Sequence, residues 1–259
     1  MYSTTAASQR VTRLPKSAIH EMTRLSREID DVAFLSWAKP TSSAPAHIGE
    51  AAVKAIQDGT VHGYSESPGM LPLRQAIADK LRRDNGIDAN PGQIIVTVGA
   101  IEGLSAAVMA VVDPGDEVIL PTPTYSTHIN QVRLASAEPV LVPAVEERGY
   151  ALDLDAIEAA VTPRTKAVLY CSPSNPTGAV YDEQQLRRLA EIALAHDLVV
   201  LTDEAYEYFV FDDHRHFSIG SLPGLRGRCI SSFTFTKSYA MTGWRIGYLH
   251  ADAQLLPPI

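Results

Sequence analysis

Long apolar runs are missing from this 259-residue chain, and none approaches the roughly 20 residues a bilayer-spanning helix needs, so no membrane partner is expected. The opening stretch, MYSTTAASQRVTRLP, lacks the apolar core of a secretory signal. Cysteine is scarce: Cys171 and Cys229 stand alone, without CxxC or Cys/His ligand spacing, which excludes a disulfide framework and a zinc centre. That usage fits a reducing, cytoplasmic setting. Basic charge is also in short supply, with 22 Lys and Arg against 30 Asp and Glu for a net charge of −8, which argues against a nucleic-acid surface. Neither a G-x-G-x-x-G fingerprint nor a Walker pattern occurs, so a nucleotide-binding doubly wound domain has no support. Internal repeats and low-complexity tracts are absent as well. What is present is an ordinary globular composition, 46% hydrophobic and 20% charged, in a chain long enough to bury a full core.

From Ile94 onward, short β-branched runs alternate with helical patterns. Ile94 to Val98, Glu117 to Leu120, Pro139 to Val142, Lys166 to Tyr170, Leu198 to Leu201, Cys229 to Phe233 and Arg245 to Leu249 read as strands. Gly103 to Val111, Tyr125 to Ala135 and Asp182 to His196 read as helices, and upstream so do Ala46 to Gln57 and Leu71 to Arg83. In the helix after Asp182, Leu186, Leu189, Ala190 and Ala193 share one face, and Asp182 with Gln185 can cap its start. Such alternation predicts an α/β fold, a largely parallel sheet with helices on both faces. Ligands of such sheets sit beyond the carboxyl ends of the strands.

Four segments place polar groups at those ends. Gly99-Ala-Ile101 leads from a strand into a helix, where free N–H groups can hold an anion, although a plain βα turn reads the same way. Asn175-Pro-Thr-Gly178 is built of turn dipeptides. Asp203 ends an apolar strand, where a carboxylate needs a partner or caps the next helix. In Ser232-Phe-Thr-Phe-Thr-Lys237, threonines alternate with phenylalanines before a lysine, and Arg245 lies eight residues later. A lone loop lysine is a solvated charge, whereas one flanked by Thr234, Thr236 and Arg245 makes an anion site.

Taken singly these signals are weak, but their order and spacing are specific. With Tyr64…Gly69 and Pro123-Thr-Tyr125 added, the series Asn175-Pro-Thr-Gly178, Asp203-Glu-Ala-Tyr206 and Thr236-Lys237…Gly243-Trp-Arg245 resembles the class I/II aminotransferases, pyridoxal-phosphate enzymes of fold type I, from about residue 30 to the end. The resemblance implies a seven-stranded, mostly parallel sheet forming a large cofactor-binding domain over 46–259. Residues 1–45 would then be an N-terminal arm and the start of a small domain.

It also implies roles. Lys237 would hold pyridoxal 5′-phosphate as a Schiff base and act as general acid and base, with Arg245 helping to lower its pKa. Asp203 would keep the pyridine nitrogen protonated. Asn175 and Tyr206 would bond the phenolic oxygen, and Tyr125 would stack on the ring. Gly99, Ala100, Ile101, Thr234, Thr236 and Arg245 would cup the phosphate, a guanidinium fork suiting that task. Tyr64 would reach the phosphate of a neighbouring subunit, which implies a homodimer. Amino-acid and 2-oxo-acid substrates would exchange an amino group.

Two departures stand out. Where the family commonly reads apolar-Gly-acidic-Pro, this chain has Ser36-Trp-Ala-Lys-Pro40, placing Trp37 and Ala38 near the substrate. No segment matches the family's C-terminal small domain, which carries the arginine for the substrate carboxylate. The chain therefore reads as truncated, with apolar surface left exposed and turnover impaired. The cofactor motifs alone do not separate transamination from carbon–sulfur lyase or cyclopropane-forming chemistry, or from a cofactor-binding fragment without activity.

Overall fold

The computed structural model describes residues 8–12, 14–15, 18–35, 38–256 and 259. Ser36 and Trp37 lie outside the described residues. Seven strands form one sheet: β1 (Ile94–Thr97), β2 (Glu117–Thr122), β3 (Glu138–Pro143), β4 (Thr165–Cys171), β5 (Val199–Asp203), β6 (Cys229–Thr234) and β7 (Gly247–Ala251). Their order is β1-β7-β6-β5-β4-β2-β3. All run parallel except β7, which is antiparallel to both β1 and β6.

The helices are α1 (Gln9–Thr12), α2 (Ala18–Ser26), α3 (Ala46–Gln57), α4 (Leu71–Asn85), α5 (Gly99–Val111), α6 (Ser126–Leu134), α7 (Leu154–Ala159), α8 (Glu183–Ala195) and α9 (Phe235–Ser238). They cover both faces because successive strand residues point to opposite sides. Ile119, Val168, Tyr170 and Val200 pack with Leu186, Leu189, Ala190 and Ala193 of α8. Val118, Leu120, Ala167, Leu169 and Leu201 pack with Leu104, Ala107 and Val108 of α5. A third cluster seats Ile77, Ala78 and Leu81 of α4 against Phe233 and Tyr248. By contrast α3 buries none of its residues, and Val53 and Ile56 are exposed on it.

Several boundaries differ from the sequence expectation, each for a local reason. The helix expected from Gly103 starts at Gly99, since Gly99 takes φ +75° and turns the chain directly out of β1. The strand expected from Arg245 starts at Gly247, because Arg245 sits in the left-handed region at φ +56°. The expected reciprocal cap of α8 is half made: Asp182 accepts from the Gln185 N–H at 2.8 Å, but the Gln185 side chain takes the Leu152 N–H instead. The short helix α7 was not expected; Asp153 caps it through the Ala156 N–H.

The reversed strand has a consequence for stability. His250 on β7 is buried, its Nε2 has no hydrogen-bond partner among the described residues, and burial pushes its pKa down to about 4. Glu204 and Asp252 oppose that shift without cancelling it. Between the ordinary value of 6.5 and about 4, the unfolded chain binds a proton that the folded chain refuses. Stability should therefore be full above pH 6.5 and decline toward pH 4, by about 3 kcal/mol from this residue. Denaturant titrations at pH 7 and pH 4.5 check this. His250→Asn should lose clearly less stability across that interval than the parent, and equal losses would exclude His250 as the cause.

Candidate active site

The reversed strand also explains how distant loops meet. In a parallel sheet every strand delivers its carboxyl end to one edge, and an antiparallel strand delivers its amino end there. Gly247, the first residue of β7, pairs with Thr97 on one side and Thr234 on the other, so Arg245 arrives beside the ends of β1 and β6. The approach is tight: a Cβ on Gly247 would lie 2.7 Å from the Ala100 nitrogen and 2.8 Å from the Phe233 oxygen. A Cβ on Gly99 would collide with Nη2 of Arg245, so that guanidinium rests directly on the first turn of α5.

These ends enclose a cavity of about 540 Å³. Ala100, Ile101, Tyr125, Asn175, Asp203, Tyr206, Thr234, Thr236, Lys237 and Arg245 all line it. Gly99 lies just beneath, in contact with Arg245, while Tyr64 is fully exposed and lines no part of it. Ala38 and Lys39 also line the cavity, as does Ile19 of α2. Lys39 thus brings a cation where the resembled pattern has an acid.

Lys237 is the amine that the sequence reading placed at the centre of the cavity. Its Nζ donates to the Ala38 carbonyl and lies 5.5 Å from the Tyr206 ring centroid. Its pKa is lowered, first by partial burial and second by the Arg245 charge, with Asp203 pulling the other way. The sequence expectation gave Arg245 a contributing part, which it has; desolvation, which that expectation did not name, leads. Tyr206 is pushed well up, chiefly by burial, so it keeps its proton, and its hydroxyl oxygen accepts from Asn175 Nδ2 at 3.4 Å.

Asp203, 7% exposed, is partnered as a buried carboxylate must be. It accepts from the Ala205 N–H at 3.1 Å and faces His128 Nε2 at 3.1 Å. His128 is a residue the sequence reading missed. It sits three positions after Tyr125, which places it on the side of α6 that Tyr125 leads into, and the two rings meet edge to face at 5.5 Å. That spacing was the available signal.

At the anion end, Thr236 accepts from Arg245 Nη1 at 3.3 Å. Thr234 gives its hydroxyl proton to the Ile246 carbonyl and accepts the Thr236 N–H, so it shapes the loop more than it presents a donor. Glu102 takes the N–H of Val98, leaving the N–H groups of the following turn at the mouth of the cradle.

Comparison with known proteins decides the family. The description "Aminotransferase class I and II" matches residues 35–257. The chain belongs to the class I and II aminotransferase family. An aromatic-amino-acid aminotransferase of Thermococcus litoralis is 40% identical over 247 residues, 95% of this chain and 63% of that protein. A probable N-succinyldiaminopimelate aminotransferase of Mycobacterium tuberculosis is 44% identical over 238 residues, 91% of this chain and 59% of that one. Among solved structures, the aspartate aminotransferase of Thermus thermophilus with maleate superposes with a TM-score of 0.92 at 35% identity, covering 100% of this chain and 67% of that one. The chain therefore spans about three-fifths of the length of these curated aminotransferases.

Pyridoxal phosphate is the cofactor this aminotransferase family implies. The residues present fit it. An amine, a buried carboxylate and a guanidinium at a helix start face one cavity of about 540 Å³, a size that suits a small cofactor.

Proposed function

We propose that this chain carries the cofactor-binding part of a pyridoxal-phosphate-dependent aminotransferase, which moves an amino group between an amino acid and a 2-oxo acid. The observation that carries the proposal is the convergence of Lys237, Asp203 and Arg245 on one cavity. Bound there, pyridoxal phosphate would supply an aldehyde for the substrate amine and an electron sink for the pair left at Cα.

Each residue has a task that its surroundings suit. Lys237, with its pKa lowered, holds the cofactor through its amine and, once released, takes and returns the proton at the substrate Cα. Asp203 holds a proton on the ring nitrogen, and His128 steadies it from behind. Asn175 and Tyr206 bind the phenolic oxygen, and Tyr125 covers the ring. Arg245, Thr236 and the N–H groups of Ala100 and Ile101 bind the phosphate above Gly99, with Thr234 fixing their loop. Residues 1–45 act as an N-terminal arm and the start of a small domain beside the large domain over 46–259, and Ile19 and Ala38 on the cavity wall support the reading that this arm reaches the site. Tyr64, exposed and remote from its own cavity, serves the site of a second copy in a homodimer. Among the described residues no helix is long and apolar enough to cross a membrane, and a cytoplasmic setting fits the two unpaired, buried cysteines.

The test uses purified chain loaded with pyridoxal phosphate and a panel of acidic and aromatic amino acids, chosen from the names of the relatives. With a 2-oxo acid present, the expected result is a new amino acid formed in step with loss of the first. Ammonia with a 2-oxo product and no new amino acid would replace transamination with lyase chemistry. Cofactor binding without conversion of any amino acid would leave a binding fragment.

A further inference from the structure

Behind Asp203 lies a buried polar network to which the cofactor chemistry assigns no task. Strand alternation turns Asp203 toward α6 and the next residue, Glu204, the other way. Glu204 is 2% exposed, yet its carboxylate is bonded from three sides. Thr202 donates to one oxygen at 3.2 Å, while His216 Nε2 at 2.8 Å and Ser218 Oγ share the other. Asn85 gives one amide proton to Ser218 Oγ at 2.8 Å and the other to Glu207 at 2.8 Å, and accepts from Lys80 Nζ at 2.8 Å. Lys80 also pairs with Glu207 at 2.5 Å.

The direction of these bonds is determined. Lys80 can only donate, so the Asn85 oxygen must face it and the Asn85 nitrogen must face Ser218 and Glu207. Ser218, having accepted from Asn85, has one proton left, and it goes to Glu204. With His216 in the tautomer that carries its proton on Nε2, which also lies 3.3 Å from Ser218 Oγ, every donor chain ends on one of two carboxylates and Glu204 accepts at both oxygens. An amide at that position would turn an NH₂ group toward a donor.

The same two carboxylates flank the turn that carries Tyr206 and that follows directly on Asp203, the last residue of β5. Asp203 is held in the sheet between Cys171 and Ser232 and accepts the Ser172 N–H, whereas beyond it the Glu204 N–H reaches Ser232, the Glu207 N–H reaches Glu204, and the Phe209 N–H reaches Tyr206. We propose that Glu204 is a positioning residue for the cofactor cavity: fastened by Thr202, His216 and Ser218, it fixes the junction between β5 and the following turn, and so the aim of Asp203 on one side and Tyr206 on the other, while Glu207 secures the far end of that turn on Lys80 and Asn85. The proposal rests on reading the cavity as a pyridoxal-phosphate site.

Its test is a double-mutant cycle on cofactor affinity, read by absorbance or fluorescence titration of the chain with pyridoxal phosphate. Glu204→Gln should weaken binding by about tenfold or more, as expected when a bond to a buried charge is lost. In an Asp203→Asn background, where the aimed charge is already gone, the same change should cost less than about twofold. Equal losses in both backgrounds would mean that Glu204 only supports the fold, and would overturn the proposal, as would unchanged affinity in Glu204→Gln. Should that variant show no cooperative unfolding, Thr202→Val removes one bond to Glu204 and keeps its charge. A loss of about threefold that disappears in the Asp203→Asn background then supports the proposal, and no loss, or an undiminished one, overturns it. A parent chain that fails to bind pyridoxal phosphate would instead remove the reading of the cavity itself.

Discussion

Lys237→Ala should replace the Schiff-base absorption of chain-bound pyridoxal phosphate with that of the free aldehyde and slow amine transfer by about 10⁴-fold or more. Two functions disappear with one nitrogen. The covalent hold on the cofactor goes first, so borohydride treatment should add the cofactor mass to the parent chain and leave the variant unlabelled. The proton carrier goes with it, and none of Asp203, Tyr206 and Arg245 replaces it. Asp203 is engaged by His128 and the Ala205 N–H, Tyr206 holds its proton because burial pushes its pKa well up, and Arg245 cannot give up its proton. General acid–base catalysis by one positioned group accounts for about 10² to 10⁴ in rate, and loss of attachment adds to it. A small primary amine in the buffer should restore part of the rate, since it can enter the space vacated by the side chain. Cofactor binding by the phosphate cradle should persist in the variant. An unchanged visible band would remove Lys237 from the centre of the site.

The extent to which residues alone disclose this architecture depends on what a linear pattern encodes. The parallel strands were legible because buried β-branched runs such as Ile94 to Thr97 and Val199 to Leu201 have little other use. The loops after them were legible because turn residues and polar residues occur at fixed offsets from those runs. Strand direction is not encoded in such a pattern. β7 reads like its neighbours, yet it runs the other way, and only that reversal accounts for Arg245 meeting Gly99 across 146 residues of sequence. Arg245 itself was drawn into the strand, since nothing in its identity announces a left-handed φ.

Single buried polar side chains were the other blind spot. His128 and Glu204 each owe their meaning to partners 75 and 14 residues away, respectively; the spacing of His128 from Tyr125 points to a ring contact and not to Asp203. Tyr64 is the converse case. Its family role was legible as a resemblance, whereas in one chain it is simply an exposed ring. The exposed apolar positions of α3 were expected from the resemblance, not from periodicity, because an amphipathic stripe reads the same whether or not something covers it.

Asp203→Ala should separate cofactor binding from turnover. The carboxylate lies at the end of a strand whose neighbours on both sides are buried, so its charge acts in a medium that screens it weakly. Two opposite charges about 4 Å apart at an effective dielectric near 20 attract by about 4 kcal/mol, which corresponds to about 10³ in rate if the attraction is felt fully only when charge develops on the ring. The phosphate hold depends on Arg245, Thr236 and the first turn of α5, none of which touches Asp203, so affinity should fall far less than the rate. His128 supplies the internal control. Removing Asp203 leaves His128 Nε2 buried without its acceptor, so part of the damage could come from that orphaned ring. Asp203→Asn keeps an acceptor for His128, at the cost of the bond from the Ala205 N–H, and removes the charge, and should still lose about 10²-fold or more in kcat with KM little changed. If Asp203→Asn retained the parent rate while Asp203→Ala did not, the role of the residue would be to seat His128, and the protonated ring nitrogen would need another partner.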